Sequence, residues 1–106
     1  MRKIKEIVNL INSELNESEK YAKLALKAKT ENDLLIYNES LKLSAVELSH
    51  AMEWHDIVVK VIENEKLKLK EQNIETPAYM IDIWNEKHEE YLKRVAELKY
   101  MLDTIK

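Results

Sequence analysis

The sequence contains no glycine and a single proline among its 106 residues, so it has little of the material that tight turns require. An architecture of many short strands needs turn residues at regular intervals, and this chain does not have them. The composition therefore favours a few long elements, and we expect one domain that spans residues 1–106.

Cysteine is also absent, which excludes disulfide bonds and thiolate metal sites. Any metal ion would have to be held by carboxylate and imidazole groups, a ligand set that suits iron, manganese or zinc. Without glycine there is no phosphate-binding loop, and the serines fall at helical positions with no oxyanion-forming turn nearby. We therefore do not expect hydrolysis by a nucleophilic triad.

The chain has no excess of positive charge, since 17 basic residues face 20 acidic ones and the net charge is -3. Such a surface cannot neutralise many phosphates, which argues against nucleic acid as a partner. No apolar run approaches the roughly 20 residues of a membrane span, and the first residues lack the uncharged core of a signal peptide. We expect no membrane partner and a cytoplasmic location.

Three stretches carry apolar residues at intervals of three and four, the pattern of one-sided amphipathic helices. The predicted helices cover about residues 3–29, 32–71 and 77–105. The polar run before the second helix supplies N-cap candidates, while Thr76 and Pro77 supply an N-cap and a first helical residue for the third. Because both connections are short, successive helices should be antiparallel, which gives an all-α, up-down-up bundle.

The second predicted helix has two apolar stripes. The stripe that we predict to face the core comprises Ile36, Leu43, Val46, Trp54, Ile57 and Val61. A second stripe on nearly the opposite side comprises Leu41, Ala45, Leu48, Met52 and Val59. A helix that is apolar on two sides packs on two sides. The other two helices cannot cover all of this surface, so we expect a homodimer or a higher homo-oligomer that completes a larger bundle.

Two polar residues, Glu47 and His50, fall within about 60° of one another on the predicted core-facing stripe. An unpaired carboxylate there would be costly, so it must be hydrogen-bonded, protonated or bound to a cation. A spacing of three residues lets a carboxylate oxygen and an imidazole nitrogen reach one ion. The same pair also fits a simple buried hydrogen bond, so a metal site and a structural pair both remain open.

The first predicted helix supplies a third candidate ligand. If the first turn centres near residues 30 and 31, antiparallel pairing sets Glu14 about level with Glu47. Tyr21, two turns after Glu14 on the same side, could hydrogen-bond a carboxylate or a metal-bound oxygen. Glu17 points further away and is a reserve ligand. Three ligand-type side chains are thus expected to converge.

The other two histidines are expected to lie elsewhere. With the second turn near residue 75, His88 would be about 18 Å along the second helix from His50, too far to share its site. We expect His88 to be structural and hydrogen-bonded to a group such as Glu65, with a second metal site or an interface as the alternatives. His55 lies on the second apolar side, where it should touch the third helix or a partner.

Four residues are spaced along the chain as in the first helical pair of ferritin-like di-metal proteins, and the rubrerythrin branch is the one they resemble in particular. These residues are Glu14, Tyr21, Glu47 and His50. The resemblance implies that Glu14 is a terminal and Glu47 a bridging carboxylate. It also implies that His50 is an imidazole ligand and that Tyr21 hydrogen-bonds a ligand. Iron or manganese would be the metal, with zinc as a further possibility.

A complete ferritin-like bundle has a second helical pair with its own carboxylates and Glu-x-x-His motif, which the third helix here cannot supply. Encapsulated ferritins are similar in having one half of the site in each chain and completing it across a two-fold axis. The resemblance therefore implies a di-metal site that two copies of this chain share.

The whole chain also resembles short, functionally unassigned ferritin-like proteins of phages and prophages of low-GC Gram-positive bacteria. The likeness includes the run from Glu19 to Ala22 and the run Glu86-Lys87-His88. Two functions are therefore expected as alternatives. One is a ferritin-like metal-binding protein. The other is a phage-encoded helical protein that binds a host protein inside the bacterial cell, with Glu47 and His50 only structural.

Overall fold

The computed structural model describes residues 2–106, with side chains from residue 3 onward, so residue 1 of the expected domain lies outside the described part. Three long helices account for nearly all of it: α1 (Arg2–Thr30), α2 (Leu34–Glu71) and α3 (Ala78–Ile105). Residues 2–106 include no β-strand. The prediction of an all-helical chain with three long helices is confirmed. None of the described helices combines the length and apolarity needed to cross a membrane.

Asparagine occupies the position after α1 and after α2 where glycine is common in other proteins. Asn32 and Asn73 adopt φ values of 57° and 58°, the left-handed region that asparagine tolerates better than most residues. After α1, the backbone N–H of Asp33 donates a 2.9 Å hydrogen bond to the carbonyl of Ala28, and the same bonding pattern follows Asn73. These bonds satisfy terminal carbonyls and reverse the chain without glycine.

The two N-cap predictions, one within the polar run from Thr30 to Asp33 and one at Thr76, have different outcomes. Asp33 caps α2, because its carboxylate accepts a 3.1 Å hydrogen bond from the backbone N–H of Ile36. Thr76 does not cap α3, which begins at Ala78 with Pro77 as the N-cap residue and no side-chain cap bond. The prediction for Thr76 and Pro77 was wrong by one residue, because Pro77 has an extended backbone with ψ of 135°.

Helices α1 and α2 form an antiparallel pair whose contact includes two fully buried serines. The hydroxyl of Ser18 donates to the carbonyl of Ser44 at 2.9 Å, and the hydroxyl of Ser44 donates to the carbonyl of Ser18 at 2.6 Å. Each buried hydroxyl therefore has a partner, which removes the cost of burying it. Since the two bonds are reciprocal, they also set the register of α1 against α2.

The predicted core-facing stripe of the second helix was right for Trp54 and Val61, which pack against the core, and wrong for three other residues. Ile36, Val46 and Ile57 from that stripe are 41%, 38% and 42% exposed. The buried residues of α2 lie on a different face: Ser40, Ser44, Leu48, Ala51 and Val58. Close packing against α1 favours small side chains at the contact, so the larger apolar residues are displaced to its flanks. Hydrophobicity alone did not identify the two serines as core residues.

Helix α3 packs mainly through its C-terminal half. Its buried residues are Val95, Leu98, Leu102 and Ile105. Arg94 donates a 2.9 Å hydrogen bond to the side chain of Asn16 on α1. The carbonyl of Ile105 accepts hydrogen bonds from Lys29 and Tyr37, near the end of α1 and the start of α2. The α3 helix is therefore parallel to α1 and antiparallel to α2, and the bundle is a rod of 62 × 17 × 17 Å.

Candidate metal centre

Three ligand-type side chains meet at the edge of the α1–α2 contact. His50 Nδ1 lies 3.7 Å from Glu14 Oε2 and 3.8 Å from Glu47 Oε1. One ligand atom from each residue lies within 4.8 Å of the other two. The structure thus brings together the three residues that the sequence singled out, and the Ser18 and Ser44 hydrogen bonds one turn away hold their helices in register.

The cluster lies at a margin of the bundle and not on the core-facing side as expected. The side chains of Glu14 and Glu47 are 24% and 22% exposed, and that of His50 is 47% exposed. The cause is the orientation of α2, which turns its small residues toward α1 and leaves Glu47 and His50 beside the contact. An ion could therefore enter this cluster from solvent without any helix moving.

Glu14 is the least satisfied group of the cluster. Its Oε2 atom is buried and has no hydrogen-bond partner among the described residues. The pKa of Glu14 is raised above its ordinary value, first by the close approach of the facing Glu47 carboxyl, then by burial and the negative charge of Glu47. His50 acts in the opposite direction. Two carboxyl groups placed in this way favour either a shared proton or a cation between them.

The donor geometry is close to that of a metal site. Nitrogen and oxygen ligands lie roughly 2.0–2.2 Å from a tetrahedral zinc ion, which places neighbouring donors roughly 3.4 Å apart. The distances of 3.7 and 3.8 Å from His50 need only small side-chain rotations to reach that arrangement. Three protein ligands leave positions on the ion for water, substrate or groups from a second copy.

The reserve residues on α1 do not join the cluster. Glu17 is half-buried and lies outside the group of ligand atoms that meet within 4.8 Å. Lys20 Nζ lies 5.9 Å from the centre of the Tyr21 ring. Within the described part of the chain, the Tyr21 hydroxyl makes no hydrogen bond to Glu14 Oε2. Of the expected residues, the cluster therefore contains Glu14, Glu47 and His50.

His88 has a different partner from the expected one. Its Nδ1 lies 3.0 Å from Nε2 of His55, whereas Glu65 pairs with Lys68 at 3.7 Å. His88 lies about 15 Å from the start of α3, and His55 about 24 Å from the end of α2. Residues 72–77 must therefore run back along α2 before α3 begins. As a result His88 lies nearer the start of α2 than expected, beside His55 and not beside Glu65.

Aromatic rings surround this histidine pair. The His55 ring stacks on Tyr91 with centroids 3.9 Å apart, and Trp84 lies at 6.2 Å. The expected contact between His55 and the third helix is confirmed. The pKa of His55 is lowered, first by burial and then by the neighbouring His88, while Asp56 opposes the shift. Sequence reasoning missed this cluster, although Trp84, His88 and Tyr91 recur at intervals of four and three.

The candidate metal centre and the third helix lie on opposite sides of the α1–α2 pair. His50 precedes His55, which touches α3, by five residues or about 140° around the helix. On α1, Glu14 precedes Glu19, which contacts Arg94 of α3, by the same interval of about 140°. The side that carries the candidate metal centre is therefore left uncovered by the described residues.

No family model matches this chain, and comparisons with curated proteins and with solved structures also give no match.

Proposed function

We propose that this protein binds a divalent metal ion through Glu14, Glu47 and His50. Iron or manganese is the expected metal, with zinc as the second choice. The observation that carries the proposal is the buried Oε2 atom of Glu14, which faces a second carboxyl group and has no hydrogen-bond partner in the described part of the chain. A divalent ion would supply the missing partner and replace repulsion between the carboxylates with attraction to both. The carboxylate and imidazole donors match the ligand preferences of these metals.

We further propose a ferritin-like arrangement in which a second copy of the chain completes the centre across a two-fold axis. Two copies would contribute four carboxylates and two imidazoles, enough for two ions. Exposed apolar side chains flank the centre, since Leu10, Val46 and Ile57 are 42%, 38% and 42% exposed. Val46, His50 and Ile57 share one face of α2, so the same contact would bury the apolar residues and join the two half-sites.

The size of the exposed surface also supports a dimer. The chain exposes 7589 Å², whereas a compact monomer of this mass exposes about 6,200 Å². Its radius of gyration is 17.4 Å, compared with about 13 Å for a compact domain of this length. The surplus surface exceeds the roughly 800 Å² that each partner buries in a standard interface.

Metal analysis together with the mass in solution tests the proposal. Protein purified without a chelator or an affinity-column metal, then reconstituted with iron(II), manganese(II) or zinc(II), should retain one of these metals in a fixed ratio to chain. Glu47→Gln should weaken metal binding by at least about tenfold, because it removes a direct ligand. Glu63→Gln, an exposed carboxylate on the same helix, is the matched control and should bind like the wild type.

Wild-type protein that retains none of the three metals would overturn the proposal. The alternative in which Glu47 and His50 are only structural, and the apolar side binds a host protein, predicts that result. It also predicts that a partner captured from host lysate is unaffected by Glu47→Gln. Equal metal loss in Glu47→Gln and Glu63→Gln would indicate nonspecific surface binding instead.

A further inference from the structure

An open apolar cleft separates the N-terminal half of α3 from the other two helices. It has a volume of about 420 Å³. The buried residues of α3 begin only at Val95, and before that point the helix rests on the aromatic contacts of His55 with Trp84, His88 and Tyr91. These large rings hold α3 away from the α1–α2 pair, which leaves the cleft.

The lining and the length of the cleft suit an extended apolar ligand. Its apolar lining includes residues from all three helices: Val8, Ile62, Leu69, Met80, Ile83 and Trp84. On α1 the lining extends from Ile4 to Asn12, which corresponds to a length of about 12 Å. The volume is near the lower end of the roughly 300–1,000 Å³ found for small-molecule sites. An extended alkyl chain can lie along a cleft of this length and apolar lining.

The charges around the cleft are mainly positive although the chain as a whole has a net charge of -3. Each helix contributes one lysine to the lining, namely Lys5, Lys66 and Lys87, against the single acid Glu65. Lys87 pairs with Glu90 at 3.5 Å. Lys5 and Lys66 form no ion pair within the described part of the chain. These two ammonium groups are therefore free to bind an anionic head group.

We propose that the cleft binds a free fatty acid, a single-chain carboxylate. Its alkyl chain lies against Val8, Ile83 and Trp84, and its carboxylate pairs with Lys5 or Lys66. The cleft is on the α3 side of the α1–α2 pair, opposite the metal centre, so fatty-acid binding does not depend on a metal ion. Glu47→Gln should therefore leave it unchanged.

Calorimetric titration of the full chain with decanoate, below its micelle concentration, tests this proposal. Saturable binding is expected, with weaker binding of decyltrimethylammonium, which has the same alkyl chain and a cationic head. A second readout is the fluorescence of Trp84 in a Trp54→Phe background, where decanoate should change the emission. If Trp54→Phe fails to fold, calorimetry with the wild type still decides the matter.

Two substitutions on α3 form a matched pair. Ile83 and Leu92 are 56% and 52% exposed, and only Ile83 lines the cleft. Ile83→Asp places a charge beside the alkyl chain and should weaken decanoate binding by at least about tenfold, while Leu92→Asp should not. The double variant Lys5→Gln, Lys66→Gln should remove the preference for decanoate over the cationic chain.

Several results would overturn the proposal. These are the absence of saturable decanoate binding, equal binding of the cationic chain to wild-type protein, and equal weakening by Ile83→Asp and Leu92→Asp. A lower mass of Ile83→Asp in solution would show that a second copy of the chain occupies the cleft. Binding to phosphatidylglycerol vesicles in preference to free decanoate would assign the cleft to membrane lipid.

Discussion

At the scale of single residues, Glu14 and His55 are two groups whose surroundings oppose their charged forms. The facing Glu47 and then burial raise the pKa of Glu14, and burial together with His88 lowers the pKa of His55. The two cases differ in what surrounds them. Glu14 faces another acid at a solvent-accessible margin, where a cation could replace the proton. His55 is enclosed by aromatic rings and another imidazole, where added positive charge is unfavourable.

The lowered pKa of His55 makes the stability of the metal-free protein depend on pH. The unfolded chain takes up a proton at His55 below the ordinary pKa of 6.5, while the folded chain resists it. Stability from this group is therefore fully present above pH 6.5 and is lost as the pH falls toward the lowered value. His55→Phe keeps a ring against Tyr91 and removes the titration. Its free energy of unfolding should fall less than that of the wild type between about pH 7.5 and about pH 5.5.

Urea unfolding followed by circular dichroism at the two pH values measures this difference. Tyr91→Phe is the control, because it keeps the stack and leaves His55 able to titrate. If His55→Phe loses as much stability on acidification as the wild type does, the histidine pair does not cause the pH dependence.

At the scale of elements, asparagine in the left-handed conformation ends both α1 and α2. Asn32→Ala should destabilise the protein by about 1–2 kcal/mol, because a Cβ without a compensating polar side chain is disfavoured at positive φ. Asn32→Gly should stay within about 0.5 kcal/mol of the wild type, since glycine adopts this conformation freely. Thermal unfolding of the two variants measures both effects.

Asn38→Ala, at an exposed position inside α2, is the control for this turn. It should be neutral or slightly stabilising, since alanine is the better helix former. Equal destabilisation by Asn32→Ala and Asn38→Ala would mean that the left-handed turn residue is not the cause.

At the scale of the whole molecule, the uncovered apolar side predicts that the chain associates through it. Wild-type protein should have about twice the mass of a 12.6 kDa chain in light scattering. Ile57→Glu places a charge on that side and should shift the protein toward monomer, with weaker metal binding, because the half-sites separate. Leu92→Glu, on exposed α3 surface, should remain dimeric.

A monomeric wild type that still binds metal would contradict the shared centre but not metal binding itself. Dimers that persist in Ile57→Glu would place the interface elsewhere. Light scattering and metal content measured on the same samples separate these outcomes.

The sequence by itself determined the number and approximate ends of the helices, because apolar periodicity and polar turn residues act over a few neighbouring positions. It also identified Glu14, Glu47 and His50 as a set. Helical spacing places Glu47 and His50 on one surface, and the length of the first turn sets Glu14 near their level. These are local distances along the chain, which sequence spacing specifies directly.

Only the tertiary structure decided which side of α2 is buried and where α3 lies. Rotation of a helix about its axis depends on how closely its neighbour packs. Close packing against α1 therefore buried the small side chains of Ser40 and Ser44 and left the larger apolar Ile57 exposed. The level of α3 depends on the path of residues 72–77, which pairs His88 with His55 and not with Glu65. The same two factors left the candidate metal centre at an uncovered margin and opened the apolar cleft on the other side.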